Sequence, residues 1–242
     1  MIGEEPYRWL EAVANRREYI RDQLRGATPV FAFSRPEGIV LVGVGSGQSK
    51  VFEIYDRHAL AALGHPVDIE KIRQTVIEAA HVEGFSRSPE DVTLRRLLNF
   101  SLGPALKTSF EQILAAPLIV ECVFAELGAT RERDVLARVS FDGTYHFEAR
   151  GLVVVHTNAA DETAAAHWLH ERLTDSTPLA EVVARALAAS RALTAGKPFV
   201  APADEPGAVS AAPEGRVVEL GLLERHATTT ARYRALQPEA LS

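Results

Sequence analysis

The stretch GVGSGQSKVFEIYDRHALAALG, residues 43–64, decides the fold. It contains two runs of β-branched, aromatic and small apolar residues, bounded by glycine-rich or polar turns. The segment before it, PVFAFSRPEGIVLVGV, repeats the pattern around Pro-Glu-Gly. Runs of this kind between turn residues are typical of strands joined in hairpins. The two segments therefore predict three or four strands, and an antiparallel sheet begins in this part of the chain.

Lys50 raises the question of a phosphate-binding loop, because Gly43, Gly45 and Gly47 precede it. Such a loop needs Gly-Lys-Ser/Thr at the start of a helix, where backbone amides meet the phosphates. Residues 47–50 are Gly-Gln-Ser-Lys, and the VFEIY that follows favours a strand. A dinucleotide fingerprint fails for the same reason. We therefore expect a tight hairpin here and no nucleotide cofactor.

Helical and strand patterns alternate along the rest of the chain. Asp68, Ser88 and Thr177 stand at N-capping positions, and Gly103-Pro104 should divide the third helix. Helices are predicted over residues 6–24, 68–84, 88–117, 161–173 and 176–193. Further strands are predicted over residues 118–127, 135–141, 152–155, 216–224 and 231–236.

This order predicts one α+β domain, a four-layer α-β-β-α sandwich of two antiparallel sheets covered by helix pairs, with an additional N-terminal helix. Residues 7–195 should form the sandwich, and 216–236 its last two strands. Residues 196–215 carry four prolines and few large apolar groups. We expect them to form a flexible Pro/Ala-rich excursion, because they bury too little to offset the entropy of ordering. Residues 237–242 are a C-terminal tail.

Composition narrows the class of protein. The chain has 242 residues and a net charge of −6, which argues against a nucleic-acid-binding surface and favours protein or small-molecule partners. Its single cysteine, Cys122, cannot form an internal disulfide, so a cytoplasmic location is expected. The N-terminus is charged and no run of about 18 uncharged apolar residues occurs, so neither a signal peptide nor a membrane span is predicted.

Few residues point to serine, cysteine or metal chemistry. His167 and His170 lie three apart on a predicted helix, but no further metal ligand accompanies them, so a surface pair is the better interpretation. Cys122 lies in an alternating strand, where cysteine is usually a small core residue. There is no G-x-S-x-G elbow. We expect no metal and no cofactor.

Several segments, taken in order, carry a resemblance to a known family. SKVFEIYDRHALAALGH resembles the stretch of bacterial, actinobacterial-type proteasome α subunits in which a lysine opens a strand, Tyr-Asp-Arg follows, and an alanine-rich strand ends at glycine. EDVTLRRLLNF, LIVECVFAELG, ARVSFDGT and LAEVVARALAASRAL continue the match in the family's order. The resemblance covers residues 8–195 well and 216–236 more weakly. It implies the α-β-β-α sandwich that this family shares with N-terminal-nucleophile hydrolases.

The resemblance also raises a choice between two subunit types. In catalytic β subunits, the strand-opening lysine supports an N-terminal threonine whose own amine acts as the base. The only candidate here is Thr28, which Pro29 follows and which lacks the usual Gly-Thr junction. The segment VGVGSGQS also contains no carboxylate. The chain therefore resembles the non-catalytic α type, and a β-type threonine peptidase is the alternative.

An α-type role implies several partners. Lys50 matches the lysine that receives the C-terminal carboxylate of an activator, usually a ring-shaped ATPase whose tail ends in hydrophobic-Tyr-any residue. The other implied partners are identical α subunits in a heptameric ring and β subunits, in a core that degrades proteins tagged through the Pup-dependent pathway. The flexible gate of the pore would be residues 1–6: Met1, Ile2, Gly3, Glu4, Glu5 and Pro6. His65, Gly103-Pro104 and residues 196–215 depart from the family pattern.

Overall fold

The computed structural model describes residues 5–203 and 215–241. In these residues, ten strands form two antiparallel five-stranded sheets. Sheet 1 has the order β10-β9-β2-β1-β8, and sheet 2 has the order β3-β4-β5-β6-β7. The strands are β1 Val30–Arg35, β2 Gly38–Gly45, β3 Val51–Tyr55, β4 His58–Gly64, β5 Val120–Glu126, β6 Val135–Ser140, β7 Tyr145–Glu148, β8 Leu152–Val155, β9 Val217–Glu224 and β10 Tyr233–Leu236.

The α-helices flank the sheets in pairs, apart from the first. They are α1 Glu5–Leu24, α2 Pro66–Ser86, α3 Leu94–Leu97, α4 Gly103–Glu111, α5 Ala159–Arg172 and α6 Leu179–Leu193. A π-helical turn, Leu98–Leu102, joins α3 to α4, and short 3-10 turns cover Pro89–Asp91, Arg131–Arg133 and Pro238–Leu241.

Three hydrophobic clusters separate the four layers. One lies between sheet 1 and the pair α5 and α6, a second lies between the two sheets, and a third lies between sheet 2 and the helices from α2 to α4. Phe31 and Phe33 of β1 belong to the first cluster, whereas Val30 and Ala32 belong to the second. Alternate residues of a strand face opposite sides, so both faces of β1 are buried. The predicted four-layer sandwich is confirmed.

Helix α1 contributes its buried residues to the middle cluster from its C-terminal half, and Val13 packs against the same cluster. Ile20 and Leu24 are buried there. Arg16, one turn earlier, is also buried, and its guanidinium donates to the backbone oxygens of residues 109, 113 and 115 at 3.0, 3.4 and 2.8 Å. These bonds satisfy carbonyl groups at the end of α4. Leu10, near the other end of α1, is 64% exposed.

Gly103-Pro104 divides the third predicted helix, as expected, and a π-helical turn marks the division. The amide of Gly103 donates to Leu98 O, five residues back, which closes a π-helical turn before α4 begins. A Cβ at Gly103 would lie 2.7 Å from that same oxygen, so only glycine fits there. Pro104 lacks the amide that a regular helix would need at the next position.

The expected N-caps were wrong in each case. Helix α2 begins at Pro66 after His65, and the carboxylate of Asp68 accepts instead from Ile119 N at 3.0 Å. The side-chain cap after Ser88 is made by Thr93, which accepts from Arg96 N. Thr177 accepts from Thr174 N in the turn before α6. At Asp68 and Thr177, a tertiary or turn contact takes the oxygen that local spacing assigns to a cap, whereas the Ser88 hydroxyl donates to Glu90 Oε2 at 2.7 Å.

Strand β7 was not predicted from the sequence, although the Asp142-Gly143 turn before it was. Of the predicted excursion, residues 204–214 lie outside the described part of the chain. Before that gap, Phe199 N donates to Asp161 Oδ1 at 2.8 Å and its ring packs edge-on against Trp168. The proposed gate residues 1–4 also lie outside the described part, and Glu5 and Pro6 are the first residues of α1.

Candidate functional site around Lys50

Two glycines of β2 make room for the Lys50 side chain. A Cβ at Gly43 would lie 3.2 Å from Lys50 Cβ, and one at Gly45 would lie 3.7 Å from Lys50 Cδ and Cε. The aliphatic part of Lys50 therefore runs along β2 where that strand carries no side chains. Gly47, at φ 104°, turns the chain back between β2 and β3. This is the structural role of the GVGSG motif.

The ammonium group of Lys50 ends at Thr28, two residues before β1. Lys50 Nζ donates to Thr28 O at 3.0 Å and also to Thr28 Oγ1. Thr28 is buried, and its hydroxyl donates to Val44 O. Two of the three N–H groups of the ammonium are thus used inside the chain, and one is left.

The backbone of Lys50 is anchored by Glu219, which lies 169 residues later in the sequence. Glu219 Oε2, on β9, accepts from Lys50 N at 2.8 Å and from Val51 N at 3.3 Å. On the other side, Lys50 O accepts from Ala62 N at 2.9 Å. These bonds anchor the start of β3 between the two sheets, so the position of Lys50 depends on the assembled sandwich.

The surroundings of Lys50 lower its pKa, but the charged ammonium form still predominates at neutral pH. Burial lowers the pKa of Lys50 to about 8, the Glu219 carboxylate opposes this shift, and the Arg216 guanidinium adds to it. Desolvation penalises the ammonium, which is the charged form. At pH 7 most molecules still carry the ammonium, because the pKa lies about one unit above this pH.

Thr28 lacks the features of an N-terminal nucleophile. Its hydroxyl hydrogen is committed to a backbone oxygen. Cleavage before Thr28 would also remove Ile20 and Leu24, which are buried in the middle cluster.

The other residues considered from the sequence do not form a site. His167 is exposed and lies 3.5 Å from Glu171. Cys122 is buried, donates to Val139 O, and has a thiol pKa raised by burial. Within residues 5–203 and 215–241, no group of three His, Cys, Asp or Glu is placed to hold a metal. No helix among the same residues is long and apolar enough to cross a membrane.

Comparison with known proteins identifies the family. No protein-family model matches the chain. The proteasome subunit alpha of Actinosynnema mirum is 35% identical over 194 residues, covering 78% of this chain and 72% of the relative. The same subunit from Pseudarthrobacter chlorophenolicus is 32% identical over 221 residues, covering 89% and 86%, and that from Streptomyces scabiei is 32% identical over 196, covering 80% and 77%.

The chain belongs to the proteasome alpha subunit family. The resemblance seen in the sequence is thereby confirmed. In this alpha-family chain, Lys50 is a site residue predicted from the sequence, and its contacts in the structure were not predicted. Gly43 and Gly45 carried a signal, since two glycines spaced by two residues leave one face of a strand bare. No sequence signal pointed to Glu219, because it lies 169 residues from Lys50.

Proposed function

We propose that this chain is a non-catalytic alpha subunit of a bacterial proteasome core. It forms heptameric outer rings on rings of β subunits in the cytoplasm, gates substrate entry, and docks a ring-shaped ATPase that delivers tagged proteins. The observation that carries the proposal is the state of Thr28. Its hydroxyl donates to Val44 O, and the helix before it packs Ile20 and Leu24 into the middle cluster. Membership of the alpha family supports the same conclusion.

Lys50 is the proposed receptor for the C-terminal carboxylate of the ATPase. Its ammonium is half-buried and held by Thr28, and one N–H remains to donate. A charge-assisted hydrogen bond to a half-buried ammonium is stronger than the same bond on the solvent-exposed surface. A bound carboxylate would also offset the desolvation of the ammonium.

Exposed apolar side chains support contacts between subunits. Leu10 on α1 is 64% exposed, and Trp9 and Tyr19 are about half exposed. Phe100 in the π-helical turn is 73% exposed, and Leu114 after α4 is fully exposed. Large apolar groups at the surface commonly mark protein contacts. We assign α1 and the α3–α4 segment to contacts within and between rings. Residues 1–6, of which the last two begin α1, are the proposed gate.

Co-expression with a β subunit tests the proposed assembly. Electron microscopy should show stacked rings of seven subunits, and the purified chain alone should not hydrolyse peptides. In assembled particles, Lys50→Ala should leave the rings intact and abolish stimulation by an ATPase tail peptide. The matched control is Lys71→Ala, which removes an exposed lysine on α2, outside the segments assigned to ring contacts. Equal stimulation of both variants would reduce Lys50 to a structural residue.

A β-type threonine peptidase is the second candidate, and the contact between Lys50 Nζ and Thr28 is the observation in its favour. Intact-mass measurement of the expressed protein separates the two functions. The alpha function predicts that Thr28 keeps its upstream residues. The alpha function would be overturned if the protein lost its first 27 residues and showed a peptidase activity that disappears in Thr28→Ala.

A further inference from the structure

A small cavity lies at the other end of β1 from Thr28 and Lys50, between β1, β8 and the turn that joins α5 to α6. Its volume is 160 Å³. A space of this size holds about five water molecules and is smaller than the cavities that take whole cofactors, so it suits a single phosphate-sized group. The charged and titratable side chains at its wall are Arg35, Arg131, Arg150, His170 and Asp175. Three arginines and one carboxylate therefore line it.

Arg35 forms the buried wall of this cavity. Its side chain is 7% exposed, and its guanidinium donates to the backbone oxygens of Thr174, Asp175 and Thr177 in the turn before α6. Its ion pair is with Glu37, at 3.5 Å from Nε. Backbone oxygens satisfy the N–H groups of the guanidinium but carry no net charge, so Arg35 still contributes a positive field at the wall.

Arg131 and Arg150 approach the cavity from two separate turns. Arg131 Nε donates to Ser34 O at 3.2 Å, and its Nη1 donates to Asp175. Its Nη2 makes no hydrogen bond within the described residues and would lie 3.9 Å from a Cβ on Gly151, the residue after Arg150. The guanidinium of Arg150 likewise has no ion pair or hydrogen bond in residues 5–203 and 215–241. Two sets of unused N–H donors therefore line the same small space.

The carboxylates near this cavity do not balance its arginines. Asp175 is bonded to Arg131, and Glu37 is paired with Arg35, so the charge of Arg150 has no counterpart. Further carboxylates, which line neighbouring cavities but not this one, are Glu132 and Glu148. An excess of positive charge in a partly enclosed space favours an anion there.

We propose that this cavity binds a phosphate group through Arg131 and Arg150. A phosphate presents several oxygens, so it can accept from the two N–H groups of Arg131 Nη2 and from the Arg150 guanidinium at the same time. Arg131 is held by two contacts and supplies position, whereas Arg150 is exposed and can adjust to the ligand. The group can arrive as inorganic phosphate or as a phosphate monoester on a larger molecule. The proposal does not depend on the docking proposed at Lys50.

Isothermal titration calorimetry of the purified chain, near neutral pH and at constant ionic strength, tests this site with inorganic phosphate and with phosphoserine. Arg150→Ala should weaken binding by about tenfold or more, and Arg150→Lys should restore part of the loss. Arg131→Lys keeps the charge but removes the planar guanidinium, so it should also weaken binding. The matched control is Arg234→Ala, an exposed arginine on β10 at the opposite edge of sheet 1, which should bind as the wild type does.

Loss of affinity in Arg150→Ala and Arg131→Lys, but not in Arg234→Ala, supports the inference. Tighter binding of phosphoserine would then identify a phosphate carried on a larger molecule, and tighter binding of inorganic phosphate would identify the free ion. The inference is overturned if the wild type shows no binding, or if Arg150→Ala binds as tightly as the wild type. If binding is lost in Lys50→Ala but kept in Arg150→Ala, the anion binds at Lys50, and the inference fails while the docking function stands.

Discussion

Raising the pH from 7 to 9 should weaken binding of a carboxylate-ended activator peptide about tenfold. Burial lowers the pKa of Lys50 to about 8, so this lysine titrates in a range where an exposed lysine stays charged. About nine-tenths of the molecules carry the ammonium at pH 7, and about one-tenth do at pH 9. If only the ammonium form binds the carboxylate, the apparent Kd rises in the same ratio, equivalent to about 1.4 kcal/mol. Binding above pH 8 should also take up a proton.

The assay is fluorescence anisotropy of a labelled, acetylated peptide with assembled rings at constant ionic strength. Lys50→Arg carries a cation throughout this range, so its affinity should not change with pH. Lys71→Ala should follow the wild-type curve, since that lysine is exposed on α2, outside the segments assigned to ring contacts. A wild-type affinity that stays constant from pH 7 to 9 would refute the reasoning. An equal loss of affinity in Lys50→Arg would assign the titration to another group.

Four further substitutions test the fold and assembly. Burial raises the pKa of Glu121 to about 7, so the folded chain retains a proton that the unfolded chain releases. Urea titrations should show the free energy of unfolding falling by up to about 3 kcal/mol from about pH 4.5 to 8. Glu121→Gln should remove this fall, whereas Glu148→Gln, beside the same 380 Å³ cavity, should keep it. Ile20→Ala should cost about 3 kcal/mol by leaving a cavity in the middle cluster, and an unchanged urea midpoint would place α1 elsewhere. Leu10→Ala should change stability by less than about 0.5 kcal/mol yet reduce ring assembly in light scattering. In Gly38→Ala the new Cβ would lie 2.0 Å from a backbone oxygen at φ 150°, so a loss above about 3 kcal/mol is expected.

The strands and helices were predictable where one local pattern dominated. The hairpins β1–β2 and β3–β4 followed from apolar runs between glycine-rich turns. Both faces of β1, β2 and β4 are buried, whereas β3 is partly exposed. The N-caps were not predictable, because Asp68 is used by Ile119 across the fold. Strand β7 was missed because it is only four residues long, and it lies at the edge of sheet 2, where only β6 pairs with it.

Lys50 shows the division between sequence and structure most clearly. Its place at the start of β3, the absence of a phosphate loop, and the alpha-type resemblance all come from residues close to it in the chain. Local steric preference and hydrophobic periodicity are sufficient to place Lys50 at the start of a strand. What the lysine does depends on Thr28, Gly45 and Glu219, which no local pattern connects to it. Only packing of the two sheets brings these groups together, because burial and charge at Lys50 are properties of the assembled sandwich.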